Sequence, residues 1–268
     1  MIRLLLAAPV SLLLLLTGCG NDSDSQGTAA PTDTPATDSG PSDVEESVVT
    51  LASGESVHYH CLGDGQPGIL LESGSGRGGE FGPSFVDPLA GQSRVCTYDR
   101  LGTGASDPAP DHKRTPDDLC DVEDEVRASM GLGEPAVLVG QSAGANLVIW
   151  CASRRPDAVA GLVSIEGYHD DPAELAAEFG EDGWRGGSER IDWAGGAEML
   201  DSMPMPIGTF PVLVISATDA DQGGVDNQKY WLALSPRSRQ VVLHGGHDLH
   251  FEVPDQVAAE ILKALPGA

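Results

Sequence analysis

Short runs of branched and other apolar residues alternate along this chain with helix-like segments in which apolar and polar positions mix. SVVTL and SVHYHC, separated by ASGE, read as an opening β-hairpin. GILLES (Gly68 to Ser73), RVCTYD (Arg94 to Asp99) and AVLVG (Ala136 to Gly140) are near-continuous apolar runs, as expected of strands covered on both faces. VAGLVSI, PVLVIS and RQVVLH follow at intervals that leave room for crossover helices. The pattern predicts eight strands and an α/β fold with a mostly parallel sheet flanked by helices.

The helix signals are local and chemical. Thr115-Pro116-Asp117-Asp118 supplies an N-cap, a proline at the first helical position and acids in the first turn, and Gly131 supplies a stop after Met130. Val253-Pro254-Asp255 opens a last helix in the same way. One segment breaks the alternation: from about Tyr168 to Pro206 the chain is acidic and glycine-rich, with Trp184, Trp193, Met199, Met203 and Met205 scattered through it. It is longer than a simple crossover between the sixth and seventh strands, and predicts a small cap facing a substrate.

The N-terminal region reads differently. Residues 1–18 comprise a basic start and an apolar run from Leu4 to Leu16, too short to span a bilayer and suited to a secretory signal. The ending Leu16-Thr17-Gly18-Cys19 resembles a bacterial lipobox, which implies cleavage before Cys19 and lipid attachment to its thiol. Residues 19–47 are Asp, Ser, Thr, Pro, Ala and Gly with almost no large apolar side chain, and predict a disordered tether with a span of roughly 30 Å. The remaining domain, 48–268, is long enough for one substantial core. A formal net charge of −26 argues against nucleic acid, whose phosphates need Lys and Arg.

Chemistry concentrates at Gly140-Gln141-Ser142-Ala143-Gly144. The pentapeptide follows a buried strand and precedes a helix, the setting of a nucleophile elbow, and its two glycines let strand and helix approach closely. A serine hydroxyl needs a base, and the base an orienting acid, in the chain order Ser, Asp or Glu, His. Asp219 and Asp221 lie just past the seventh strand, and His247 just past the eighth.

LESGSG, YDRLGTGASD, GQSAG and GHDLHFEVPD, in this order, resemble the bacterial serine hydrolases of the α/β-hydrolase superfamily from about Val48 to the C-terminus. That resemblance implies Ser142 as nucleophile, His247 as base and Asp219 as acid, with Asp221 as the alternative and Glu166, after the sixth strand, as a minor one. It implies an oxyanion hole from the amides of Ala143 and Ser75, although Ser73-Gly74 stands where many relatives have His-Gly. It also implies neighbouring second and fourth strands, hence disulfides Cys61–Cys96 and Cys120–Cys151.

The expected function is that of an extracytoplasmic, lipid-anchored serine hydrolase of the cell envelope, acting without a cofactor on a small ester with an apolar part. His244, His247 and His250, with His58 and His60, could suggest a metal, but Gly245-Gly246 disfavours the helix that would converge them, and no metal is expected. A non-catalytic binding lipoprotein on the same fold is the alternative, as are acyl transfer and peptide or carbon–carbon bond hydrolysis by the same triad.

Overall fold

The computed structural model describes residues 44–220 and 224–265. The signal segment, Cys19, most of the tether and Asp221 lie outside these residues. The first strand begins within the stretch read as tether: β1 is Glu45–Thr50. It is followed by β2 (Ser56–Leu62), β3 (Ile69–Glu72), α1 (Pro83–Ala90), β4 (Val95–Tyr98), α2 (Pro116–Met130), β5 (Ala136–Gln141) and α3 (Ala143–Arg154). Then come β6 (Val159–Ile165), α4 (Pro172–Phe179), α5 (Trp193–Ser202), β7 (Val212–Ala217), α6 (Gly224–Asn227), β8 (Ser238–Leu243), α7 (Leu249–Glu252) and α8 (Pro254–Ala264). The eight strands form one sheet in the order β1-β2-β4-β3-β5-β6-β7-β8. β2 runs antiparallel to β1 and β4, and the remaining pairs are parallel.

The apolar runs alternate between two cores, one on each face of the sheet. Ile69, Leu71, Val137, Val139, Leu213 and Ile215 point to the face covered by α1 and α8, where Phe85, Leu89, Val257 and Ile261 meet them. Leu70, Leu138, Val212 and Val214 point to the other face, against Leu119, Val126 and Met130 of α2 and Leu147 and Val148 of α3. Burial on both sides is why these strands carry no polar alternation. α2 begins and ends where its sequence dictates: Thr115 forms a capping box with Asp118, and Gly131 takes the left-handed conformation at φ 66°. Cys61 and Cys96 face each other across β2 and β4 and are bonded at 2.01 Å, and Cys120 of α2 is bonded to Cys151 of α3 at 2.05 Å.

Candidate active site

β5 is flanked by β3 and β6, so its carboxyl end opens at the middle of the sheet, where ligands bind in open α/β structures. The chain turns there from strand to helix through one residue. Ser142 has φ 55° and ψ −124°, a conformation that costs a non-glycine residue roughly 1–3 kcal/mol. It is held by Ser142 N–H donating to the Ile165 carbonyl at 2.9 Å and by Ala145 N–H donating to the Ser142 carbonyl at 2.9 Å. The glycines on either side are required by contact: a Cβ on Gly140 would collide with the Gly144 carbonyl, and one on Gly144 with the carbonyls of Glu72 and Ser73.

His247 stands on the loop leaving β8, at the edge of the same site. Gln141, the residue before the elbow serine, donates from Nε2 to the His247 carbonyl at 3.2 Å and so ties the loop to the end of β5. The imidazole lies against Tyr168, with ring planes 13° apart and centroids 5.6 Å apart. Its Nδ1 is 3.5 Å from Glu166 Oε2 and 3.2 Å from the Tyr168 hydroxyl, which itself donates to Glu166 Oε2 at 2.7 Å. Acceptors at Nδ1 place the proton of the neutral ring there and leave Nε2 as the free acceptor.

The carboxylate beside this histidine is Glu166, whereas Asp219, the acid expected, lies beside His244. Asp219 is exposed: its carboxylate accepts from the Thr218 hydroxyl at 2.8 Å and sits 3.6 Å from His244 Nδ1. The backbone explains the exchange. Glu166 follows β6 at φ 51° and is fully buried. Its Oε1 accepts from Ala217 N–H at the end of β7 at 2.6 Å and from Gln228 Nε2 at 2.8 Å. The end of β7 thus closes over Glu166, and Thr218-Asp219 turns outward. Burial alone would raise the Glu166 carboxyl, but the hydrogen bonds from His247, Tyr168, Gln228 and Ala217 outweigh it and hold the group below the ordinary glutamate value.

The three histidines diverge. His244 faces solvent, His247 meets Glu166, and His250 is buried among Phe81, Phe85 and Phe251. Among the described residues no group of three or more His, Cys, Asp or Glu side chains is placed to hold a metal ion.

The loop after β3 passes beside Ser142. A Cβ on Gly74 would lie 3.4 Å from the Ser142 Cβ, and Ser75 and Ala143 border the same cavity as Ser142. This loop hangs on a buried cation that the sequence reading left without a role. Arg100, 3 % exposed, donates to the carbonyls of Ser73 and Gly74 at 2.8 Å each. It pairs with Glu72 at 3.0 Å and with Glu189 at 2.5 Å, and Glu189 also accepts from Gly76 N–H at 2.7 Å. Burial by itself would lower the Arg100 pKa, but Glu189 and Glu72 prevail and hold it above its ordinary value. Glu189 belongs to the segment between β6 and β7, pinned to the body by Arg114 N–H donating to the Arg190 carbonyl at 2.8 Å and Asp192 N–H to the Arg114 carbonyl at 2.9 Å. The only sequence signal for this network was a pair of charged residues, Glu72 and Arg100, at the ends of two apolar strands.

Above the elbow is a cavity of about 250 Å³. Ala143, Asn146 and Trp150, on one face of α3, form its floor, and Leu175 and Phe179 of α4 with Trp193 and Ala197 of α5 form its cover. Trp150 packs its ring edge on Gly196, where no side chain fits, and lies 6.1 Å from the Trp193 ring. Tyr168 and Asp170 complete the wall on the side of Glu166.

The comparisons with known proteins agree with this fold. A family described by the alpha/beta hydrolase fold matches residues 67–185, from before β3 to beyond α4. A protein of Caulobacter vibrioides named "Putative carbamate hydrolase RutD" is 32% identical over 123 residues, 45% of this chain and 45% of that protein. The chain thus matches about half the length of the curated relatives it resembles. A hydrolase structure from Pseudomonas aeruginosa PA01 superposes with a TM-score of 0.67 at 20% identity, covering 83% of this chain and 98% of that one. The enol-lactonase from Burkholderia xenovorans LB400 does so with a TM-score of 0.65 at 18% identity, covering 81% and 98%. With its elbow on β5 and its strand order β1-β2-β4-β3-β5-β6-β7-β8, the chain has the α/β-hydrolase fold.

Proposed function

We propose that this protein is a serine hydrolase that cleaves small carboxylic esters through Ser142, His247 and Glu166. The observation that carries the reading is the buried Glu166 carboxylate at Nδ1 of His247, on a loop tied to the elbow of Ser142. Nδ1–H held by Glu166 leaves Nε2 to take the Ser142 proton as its oxygen attacks the ester carbonyl. The carbonyl oxygen becomes an oxyanion, met by the amides of Ala143 and Ser75, with the Ser75 loop held in place by Arg100. His247 then gives its proton to the leaving alcohol, and water releases the acyl group from Ser142 by the same steps. A carbamate is the second reading, favoured by the 123-residue match to a protein bearing that name.

The protein is further proposed to work outside the cytoplasm, anchored by a lipid on Cys19. Two disulfides fit an oxidising compartment. The test of the reaction is labelling of the soluble domain by a fluorophosphonate together with cleavage of a short-chain aryl ester. Ser142→Ala is expected to lose both. A folded wild-type domain that does neither sends the reading to the non-catalytic alternative.

A further inference from the structure

The cavity above Ser142 combines aromatic walls with two polar groups that the proposed ester chemistry does not use. Asp170 is half-buried and is the one formally charged side chain among the described residues that line it. Asn146 is 7 % exposed, and its Oδ1 has no hydrogen-bond partner among the described residues. Each offers an acceptor oxygen, and both line the cavity that Trp150 and Trp193 also line. A neutral apolar alkyl group would suit the indole faces but leave the two acceptors, and the Trp150 Nε1–H that has no partner among the described residues, unmatched, which costs affinity.

From this juxtaposition, and resting on the hydrolase reading, we infer that the cavity selects esters whose acyl or alcohol part carries a protonated amine. An ammonium N–H can donate to Asp170 and Asn146 while its carbon substituents lie on the indole rings, which attract cations. A volume of about 250 Å³ limits that group to a small one. Burial pushes the Asp170 carboxyl up, His169 opposes and Glu178 adds to the rise, so a cation beside it would stabilise its charged form. The net charge of −26 also favours arrival of a cation over that of an anion.

The experiment compares two isosteric esters, 2-(dimethylamino)ethyl acetate in its protonated form and 3-methylbutyl acetate. The ratio of their kcat/KM values is expected to fall by about tenfold or more in Asp170→Asn and to recover in part in Asp170→Glu. Intrinsic reactivity of the esters is common to all the enzymes, so the change in ratio isolates the pocket. In parallel, protonated N,N-dimethylethanolamine and 3-methyl-1-butanol are titrated into Ser142→Ala, followed by tryptophan fluorescence and calorimetry. The ammonium alcohol should bind about tenfold tighter, and Asp170→Asn in that background should remove the preference. An unchanged ratio and equal binding, with Ser142-dependent cleavage of the neutral ester intact, would overturn the inference and leave the hydrolase standing. Selective ammonium binding without any hydrolysis would do the reverse.

Discussion

At the scale of the residue, Glu166 and Asp219 make opposite predictions from similar chemistry. Both are carboxylates at the ends of neighbouring parallel strands, yet one is fully buried at 3.5 Å from His247 Nδ1 and the other lies outside beside His244. If Glu166 orients the ring and stabilises the imidazolium, Glu166→Gln should lower kcat on an aryl ester about 10³–10⁴-fold, because an amide holds the wrong tautomer without removing the side chain. Asp219→Asn should leave kcat within about twofold, since an exposed pair with histidine is worth little. Equal losses in the two variants, measured on domains of unchanged circular dichroism, would take the acid role away from Glu166. Tyr168 donates to the same Glu166 oxygen and packs on the imidazole, so both contacts bear on the orientation of the ring.

At the scale of the element, the loop bearing His247 is tied to α7 by Gly246 N–H donating to Glu252 at 2.8 Å, and α7 carries a buried histidine. His250 is 2 % exposed, its Nδ1 lacks a partner among the described residues, and Phe81, Phe85 and Phe251 surround it. Burial pushes its pKa down to about 4, with Arg77 and His247 acting in the same direction and Asp248 against. In the unfolded chain the group titrates near its ordinary value of about 6.5. Between these values the unfolded chain binds a proton that the folded one refuses, so stability is full above about pH 6.5 and falls as pH drops toward 4. The loss attributable to this residue is about 2 kcal/mol between pH 7 and pH 5. Urea unfolding of wild type and His250→Phe at both pH values checks it. The variant should show a smaller pH dependence by about that amount, and an identical dependence would show that His250 is not a source of the pH dependence.

At the scale of the molecule, legibility in the sequence followed whether a feature was local or tertiary. The central strands β3 to β7 could be read because strands buried on both faces must be bare apolar runs, the outer ones from their branched residues between turn signals, and α2 because Thr115, Pro116 and Gly131 act on their own backbone. The elbow could be located because Gly140 and Gly144 answer to contacts one turn away or in the next strand. The neighbour of His247 could not be read with the same ease: two aspartates follow β7 in the expected place, while Glu166 is selected by a φ of 51° and by donors from Ala217 and Gln228, far along the chain. Glu189 was equally hidden, since its value lies in meeting Arg100 across 89 positions. The cysteine pairs stand between these cases, set by strand order and helix packing rather than by spacing. Cys61–Cys96 joins the antiparallel edge to the parallel body, and Cys120–Cys151 joins α2 to the helix that starts at the elbow. Closing loops with sequence separations of 35 and 31 residues restricts the unfolded chain by about 3–4 kcal/mol each on the chain-entropy account. A domain of ordinary stability, roughly 5–15 kcal/mol, would lose a large share of it without them. Cys61→Ala with Cys96→Ala, and separately Cys120→Ala with Cys151→Ala, should each lower the unfolding free energy by about that amount in guanidinium titration. All four sulfurs belong to buried residues, so the folded wild type should resist mild reductant that modifies the unfolded chain at once. If the two pairs differ, the Cys120–Cys151 variant should show the greater loss of the proposed hydrolysis of an aryl ester per unit of stability lost, because only that disulfide anchors the helix carrying the Ala143 amide; equal losses would mean that α3 is held by its apolar packing alone.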